Sequence, residues 1–207
     1  MPLDLWLAFT LASLALLVIP GPTILLVLSY ALTQGRRVAL ATAAGVALGD
    51  FVAMTASLIG LGALVMASAT LFTALKWVGA VYLVYLGVKL LRARPATGLG
   101  DDLIEGVPAR GVFWHAAAVT ALNPKSIAFF IAFVPQFIRP ENPLMPQFVV
   151  LVATFVGLAA ANALAFALLA DRLRARIRRP GVLLWLNRAG GTALCAMGVM
   201  TATLRRA

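Results

Sequence analysis

The sequence predicts an all-α polytopic membrane protein: six transmembrane helices arranged as two inverted three-helix repeats, with the first and fourth helices broken. Three observations carry that reading. Hydrophobic residues make up 62% of the 207, charged residues 12%, and mean hydropathy is +0.98, a composition far more apolar than that of a soluble domain. The apolar residues fall into six runs of the length that crosses hydrocarbon, roughly 20 residues. Helix breakers stand in the middle of the first and fourth runs, at residues 20–22 and 123–124.

The first run, from Leu5 to Leu32, is interrupted by Ile19-Pro20-Gly21-Pro22-Thr23. Two prolines remove backbone donors and clash with the preceding turn, so the helix must break or bend there. The break falls at mid-bilayer depth, where unwound backbone is tolerated only if it is buried in protein or lines a wet cavity. Transporters use such interruptions to hold substrates, so a transport site is expected at this level. The six spans are expected at 4–32, 39–66, 69–91, 112–138, 147–170 and 182–204, and Trp6, Trp77, Trp114 and Trp185 fall near span starts, as interfacial rings should. Residues 1–91 form the first repeat and 112–207 the second, within one membrane domain. Between them, 92–111 reads as a flexible cytoplasmic linker holding Pro95, Gly98, Gly100 and Pro108.

The net charge of +10 is no sign of nucleic acid, because the basic residues sit between apolar runs. The first, third and fifth loops carry eleven of them, including Arg36, Arg37 and the run from Arg172 to Arg179; the other side has Arg139, Arg205 and Arg206. Positive-inside bias then puts the odd loops in the cytoplasm and both termini outside. The Arg172 to Arg179 run also suits contact with anionic membrane lipid, although a topogenic cluster explains it as well. Met1 to Asp4 holds no basic residue, and the run behind it is too long for a signal-peptide core, so it reads as a retained first span. A single cysteine, Cys195, rules out an internal disulfide and reads as a small packing residue.

Sliding the chain over itself aligns the halves. Residues 20–24 fall on 123–127 at an offset of 103; 45–50 fall on 157–162 at 112, pairing Asp50 with Asn162; Lys76, Gly79, Gly87 and Val88 fall on Asn187, Gly190, Gly198 and Val199 at 111. Each half has an odd number of spans. The halves therefore enter the membrane from opposite sides.

Asp50 is the only acid expected deep in a span, at a cost of roughly 2.5 to 3.5 kcal/mol on insertion scales unless it is neutralised or paired. It suits a counter-ion for an ammonium group or a site of reversible protonation; a protonated or salt-bridged packing residue is the bland reading. Lys125 lies in the fourth-span break, where half-helix amides favour an anion. Binding a substrate carboxylate, pairing with Asp50 and snorkelling all remain open for it. Asn123 and Asn162 can donate and accept at mid-depth, for substrate or for helix-to-helix bonding. Gly45, Gly49, Gly157, Gly190, Gly191 and Gly198 read as close-packing positions, and His115 as interfacial. One histidine and one cysteine make no metal cluster, and no hydrolase elbow or phosphate loop is present. No metal, cofactor or enzymatic activity is expected.

Together these residues resemble the lysine exporter and homoserine/threonine resistance (LysE/RhtB-type) family of small bacterial amino-acid exporters. The resemblance is carried by Pro20-Gly21-Pro22, Gly35-Arg36, Gly45, Gly49 and Asp50, then Gly79, Tyr82, Leu83, Gly87 and Leu90, Leu122-Asn123-Pro124-Lys125 with Pro135 to Phe137, and Asn187-Arg188 to Gly190. It implies export of an amino acid or close relative, driven by the proton gradient, with Pro20, Gly21, Pro22, Asn123, Pro124, Lys125 and Asp50 lining the central site. Thr23 and Asn162 complete the substrate-binding set expected here, and Asp50 is the expected proton carrier. The rivals are an exporter of another small solute or cation on the same scaffold and a non-transporting membrane subunit. Homo-oligomer formation is left open.

Overall fold

The computed structural model describes residues 1–19, 21–67, 69–93, 108–139, 141–170 and 180–203. Pro20, most of the expected linker, the Arg172 to Arg179 run, Arg205 and Arg206 lie outside them. Among the described residues every regular element is helical: α1 (Leu3–Val18), α2 (Pro22–Ala67), α3 (Ala69–Arg92), α4 (Ala109–Ala121), α5 (Pro124–Ala132) with a 3₁₀ turn at Val134–Phe137, α6 (Leu144–Leu168) and α7 (Pro180–Thr203).

Both expected breaks are present. The axis turns by 58° between Leu3–Val18 and Pro22–Ala31, and by 45° between Ala109–Ala121 and Pro124–Phe137. In each case a proline opens the second half-helix, Pro22 for α2 and Pro124 for α5. That is where a residue without a backbone N–H and with fixed φ costs least.

The connection expected between the first two spans takes another form. Helical backbone runs unbroken from Pro22 to Ala67, across Arg36 and Arg37. A straight helix would separate Thr23 from Asp50 by about 40 Å, yet both line one cavity, so α2 folds back on itself. Its two arms are Pro22–Ala31 and Val38–Ala63. Residues 31–37, where a loop was expected, contain no proline, and Gly35 is the weakest helix former among them.

By length and apolarity, three described helical stretches can cross a membrane: Val38–Ala63, Thr73–Arg92 and Leu144–Leu168; five can if each bent pair counts as one span. The stretch expected as the sixth span is α7, with 24 residues.

Small residues set how the helices meet. A Cβ on Gly45 would collide with the Phe113 carbonyl, and one on Gly49 would lie 2.5 Å from the Ala117 carbonyl oxygen. Four residues along α2 thus correspond to four along α4, so the second arm and α4 run parallel. In α3 and α7 the order reverses: Gly87 faces Gly191 and Cys195, while Gly198 faces Ala80 and Val84, an antiparallel pair. Gly157 departs from the close-packing expectation, since nothing would touch its Cβ within 4 Å. Large apolar side chains such as Leu3, Leu122 and Trp185 are exposed, as a lipid-facing surface requires. A buried aromatic cluster of Phe9, Phe129, Phe130, Phe133, Phe137 and Phe155 fills one half of the bundle. Ala39, Ala43, Ala116, Ala163 and Ala167 pack the other with Val27 and Val46. The polar site lies among the residues that separate these two halves along the chain.

Candidate functional site

The site starts from the carbonyl end of α1. A helix leaves its last carbonyls without intrahelical donors, and the partial negative charge there attracts cations. Pro22 cannot donate, and α1 stops at Val18, so those carbonyls need partners from elsewhere. The second half of the chain supplies them. Lys125 Nζ donates to the carbonyls of Leu16 and Ile19, both at 3.1 Å, and Asn162 Nδ2 donates to that of Leu17 at 3.1 Å. Gly21 makes room for this, because a Cβ there would stand 3.3 Å from Lys125 Nζ and 3.6 Å from its Cε.

The second break is closed by its own asparagine. Asn123 caps α5, its Oδ1 accepting from the Lys125 backbone N–H at 3.1 Å. This is the usual satisfaction of an orphan N-terminal donor. Its Nδ2 donates to Thr23 Oγ1 at 3.0 Å, and Thr120 Oγ1 stands 3.5 Å from the same oxygen. One side chain therefore ties the two breaks together.

Asp50, on the second arm of α2, is 2% exposed and its Oδ1 has no hydrogen-bond partner. Buried polar atoms are nearly always satisfied, so an orphan oxygen calls for an explanation. Asp50 and Lys125 line the same cavity and interact through their charges, but among the described residues they form no ion pair. The direct pairing left open for Lys125 is absent; its ammonium is held by main-chain carbonyls instead. The cavity is small, about 20 Å³, room for about one water molecule.

Of the expected site residues, Gly21, Thr23, Asp50, Asn123, Lys125 and Asn162 line this cavity together. Pro22 and Pro124 do not; both are exposed and act by starting their half-helices. Pro20 is outside the described residues. Sequence reasoning missed the carbonyls of Leu16, Leu17 and Ile19, as well as Thr120 and Ser126. The signal for Thr120 was its place three residues before Asn123, at the end of a half-helix. His115 is exposed on α4, six residues after its start, and its Nδ1 is 2.8 Å from Tyr30 Oη, joining α4 to the first arm of α2.

A family profile described as LysE type translocator matches residues 14–204. The chain belongs to this family. The matched stretch of this LysE-type translocator contains both breaks, the cavity and each residue named above as lining it. Its relatives include an uncharacterized membrane protein of Vibrio cholerae, 34% identical with 99% of this chain and 100% of that protein covered. A homoserine/homoserine lactone efflux protein of Salmonella typhimurium is 34% identical over the full length of both. A leucine efflux protein of Klebsiella pneumoniae is 30% identical, covering 64% of this chain and 63% of its own. No solved structure matches the chain.

Proposed function

We propose that this chain exports an amino acid or a close derivative across the bacterial inner membrane, exchanging it for protons by alternating access. The observation that carries the reading is the orphan carboxylate of Asp50 beside the Lys125 ammonium, in one cavity where two helix breaks meet, within a chain of a translocator family. Opposite charges held apart in a low-dielectric cavity match a zwitterion. Its ammonium would satisfy Asp50, and its carboxylate would meet the amide end of α2 and Lys125. Relatives named for efflux of homoserine, homoserine lactone and leucine support this substrate class.

A cavity with room for one water cannot hold an amino acid, so the site must widen when loaded. Rocking of residues 1–91 against 112–207 provides that motion. Its premise, two inverted halves, is supported by helix directions. If six spans alternate in direction, the second and fourth must run parallel and the third and sixth antiparallel, as do the second arm of α2 with α4 and α3 with α7. The α3 to α7 register adds a symmetry argument. At the offset of 111, Gly87 corresponds to Gly198, Ala80 to Gly191 and Val84 to Cys195, and exchanging each residue for its mate turns one set of contacts into the other.

Asp50 would take a proton from the outer side as the substrate leaves and release it inside before the next one binds. Both termini are then periplasmic. The test is purified protein in proteoliposomes, loaded with a panel of radiolabelled amino acids including homoserine and leucine, with and without a pH gradient. Gradient-driven movement of at least one is expected, and Asp50→Asn should reduce it at least about tenfold, a difference of about 1.4 kcal/mol. Undiminished transport by that variant removes Asp50 from the coupling step.

A further inference from the structure

Half-helix carbonyl ends in broken-helix transporters coordinate cations, and the end of α1 has the same chemistry. Two carbonyl oxygens, of Leu16 and Ile19, converge at 3.1 Å on one point. A third, of Leu17, is tied back by Asn162, which fixes the end of the helix. The Asp50 carboxylate lines the same cavity and adds negative charge. What occupies the point is the chain's own Lys125 ammonium.

We propose that the carbonyl end of α1 is a monovalent-cation seat that this chain fills with a tethered ammonium, that of Lys125, so that no free cation binds there. Three features fit a built seat better than a chance contact. The lysine reaches the carbonyls by crossing Gly21, where a Cβ would stand 3.3 Å from Nζ and press on the end of its side chain. Its own backbone N–H is fixed by the Asn123 cap, so the stem starts from a defined place. And Lys125 donates to those two neutral carbonyls although the orphan Asp50 carboxylate lies in the same cavity. With the seat taken, a ligand ammonium is directed to Asp50 rather than to the unwound backbone.

The proposal goes beyond the export reading and its test needs no transport. Lys125→Ala removes the atoms from Cγ to Nζ, which n-propylammonium replaces. In purified protein, n-propylammonium should raise the Tm of Lys125→Ala saturably, by at least about 2 °C, the scale on which a ligand well above its Kd stabilises. Neither wild type with n-propylammonium nor Lys125→Ala with tetramethylammonium, which has no N–H to donate, should shift. If Lys125→Ala does not fold, Lys125→Met is the second variant. It is one atom shorter than lysine, and the ammonium ion should stabilise it where sodium-matched controls of tetramethylammonium do not. No shift in the variant, an equal shift in wild type, or an equal effect of tetramethylammonium overturns the proposal. Because binding alone is read, a negative amino-acid panel would leave this result standing, and a positive panel would not rescue it.

Discussion

Asp50 and Asn162 stand at matched positions of the two halves, yet only Asn162 finds a partner, the Leu17 carbonyl at 3.1 Å. An orphan buried acid is a local cost in stability, and such costs gather at functional sites. Asp50→Asn is therefore expected to keep or raise Tm, by up to a few degrees for about 1 kcal/mol, in the same protein that loses gradient-driven export. Asn162→Ala should lower stability by about 0.6 kcal/mol, the mean for a side-chain hydrogen bond in a membrane; differential scanning fluorimetry reads both. A marked drop in Tm for Asp50→Asn would mean that the carboxylate is structural. Asp50, Asn123 and Lys125 were legible in the sequence because each is a polar side chain inside an apolar run. The carbonyls of Leu16 and Ile19 were not, because every residue has a carbonyl and only the end of a helix makes two of them special. Thr120 was hidden for a related reason, since threonine hydroxyls usually bond within their own helix, as those of Thr42 and Thr201 do here.

At the scale of helices, glycine divides into two kinds that the sequence cannot separate. Gly49 is pressed against α4, where a Cβ would stand 2.5 Å from the Ala117 carbonyl oxygen and 2.7 Å from Thr120 Cβ. Neither neighbour is the loose end of a long side chain, so Gly49→Ala forces the helices apart. A loss of about 1 to 3 kcal/mol is expected, the usual penalty for overpacking. Gly157 is the sequence mate of Gly45 at the offset of 112, yet no atom would meet its Cβ. Gly157→Ala should leave stability unchanged or improve it by up to about 1 kcal/mol, because alanine is the better helix former. Thermal unfolding of the two variants side by side decides whether contact or residue type controls the outcome. Spacing identified both as small residues in apolar runs, but a run that is apolar all round gives no period from which to read the packed face. Breaks were easier. Proline marks a helix boundary chemically, so the bends after Val18 and Ala121 lay close to their expected places, whereas the reversal within α2 carries Gly35 but no proline and was expected as a loop.

For the molecule as a whole, the question is which way each helix points. Charge gave the orientation from sequence, with eleven basic residues in the odd loops against three opposite, and the parallel and antiparallel pairings follow independently from packed glycines. Both fit the arrangement proposed above, in which α1 and α6 would start on the outer face and α4 on the inner one. Single cysteines in a Cys195→Ser background can test this at Leu3, Met145 and Arg110, which lie at those three helix starts and of which Leu3 and Met145 are well exposed. In intact cells a membrane-impermeant maleimide should label Leu3→Cys and Met145→Cys, and Arg110→Cys only after the membrane is opened. The informative comparison is between Leu3 and Met145. They begin the first and fifth spans, so two inverted triplets place them on one face, whereas two triplets inserted in the same sense place them on opposite faces. Labelling of one without the other in intact cells would remove the inverted repeat, and with it the rocking of one half against the other.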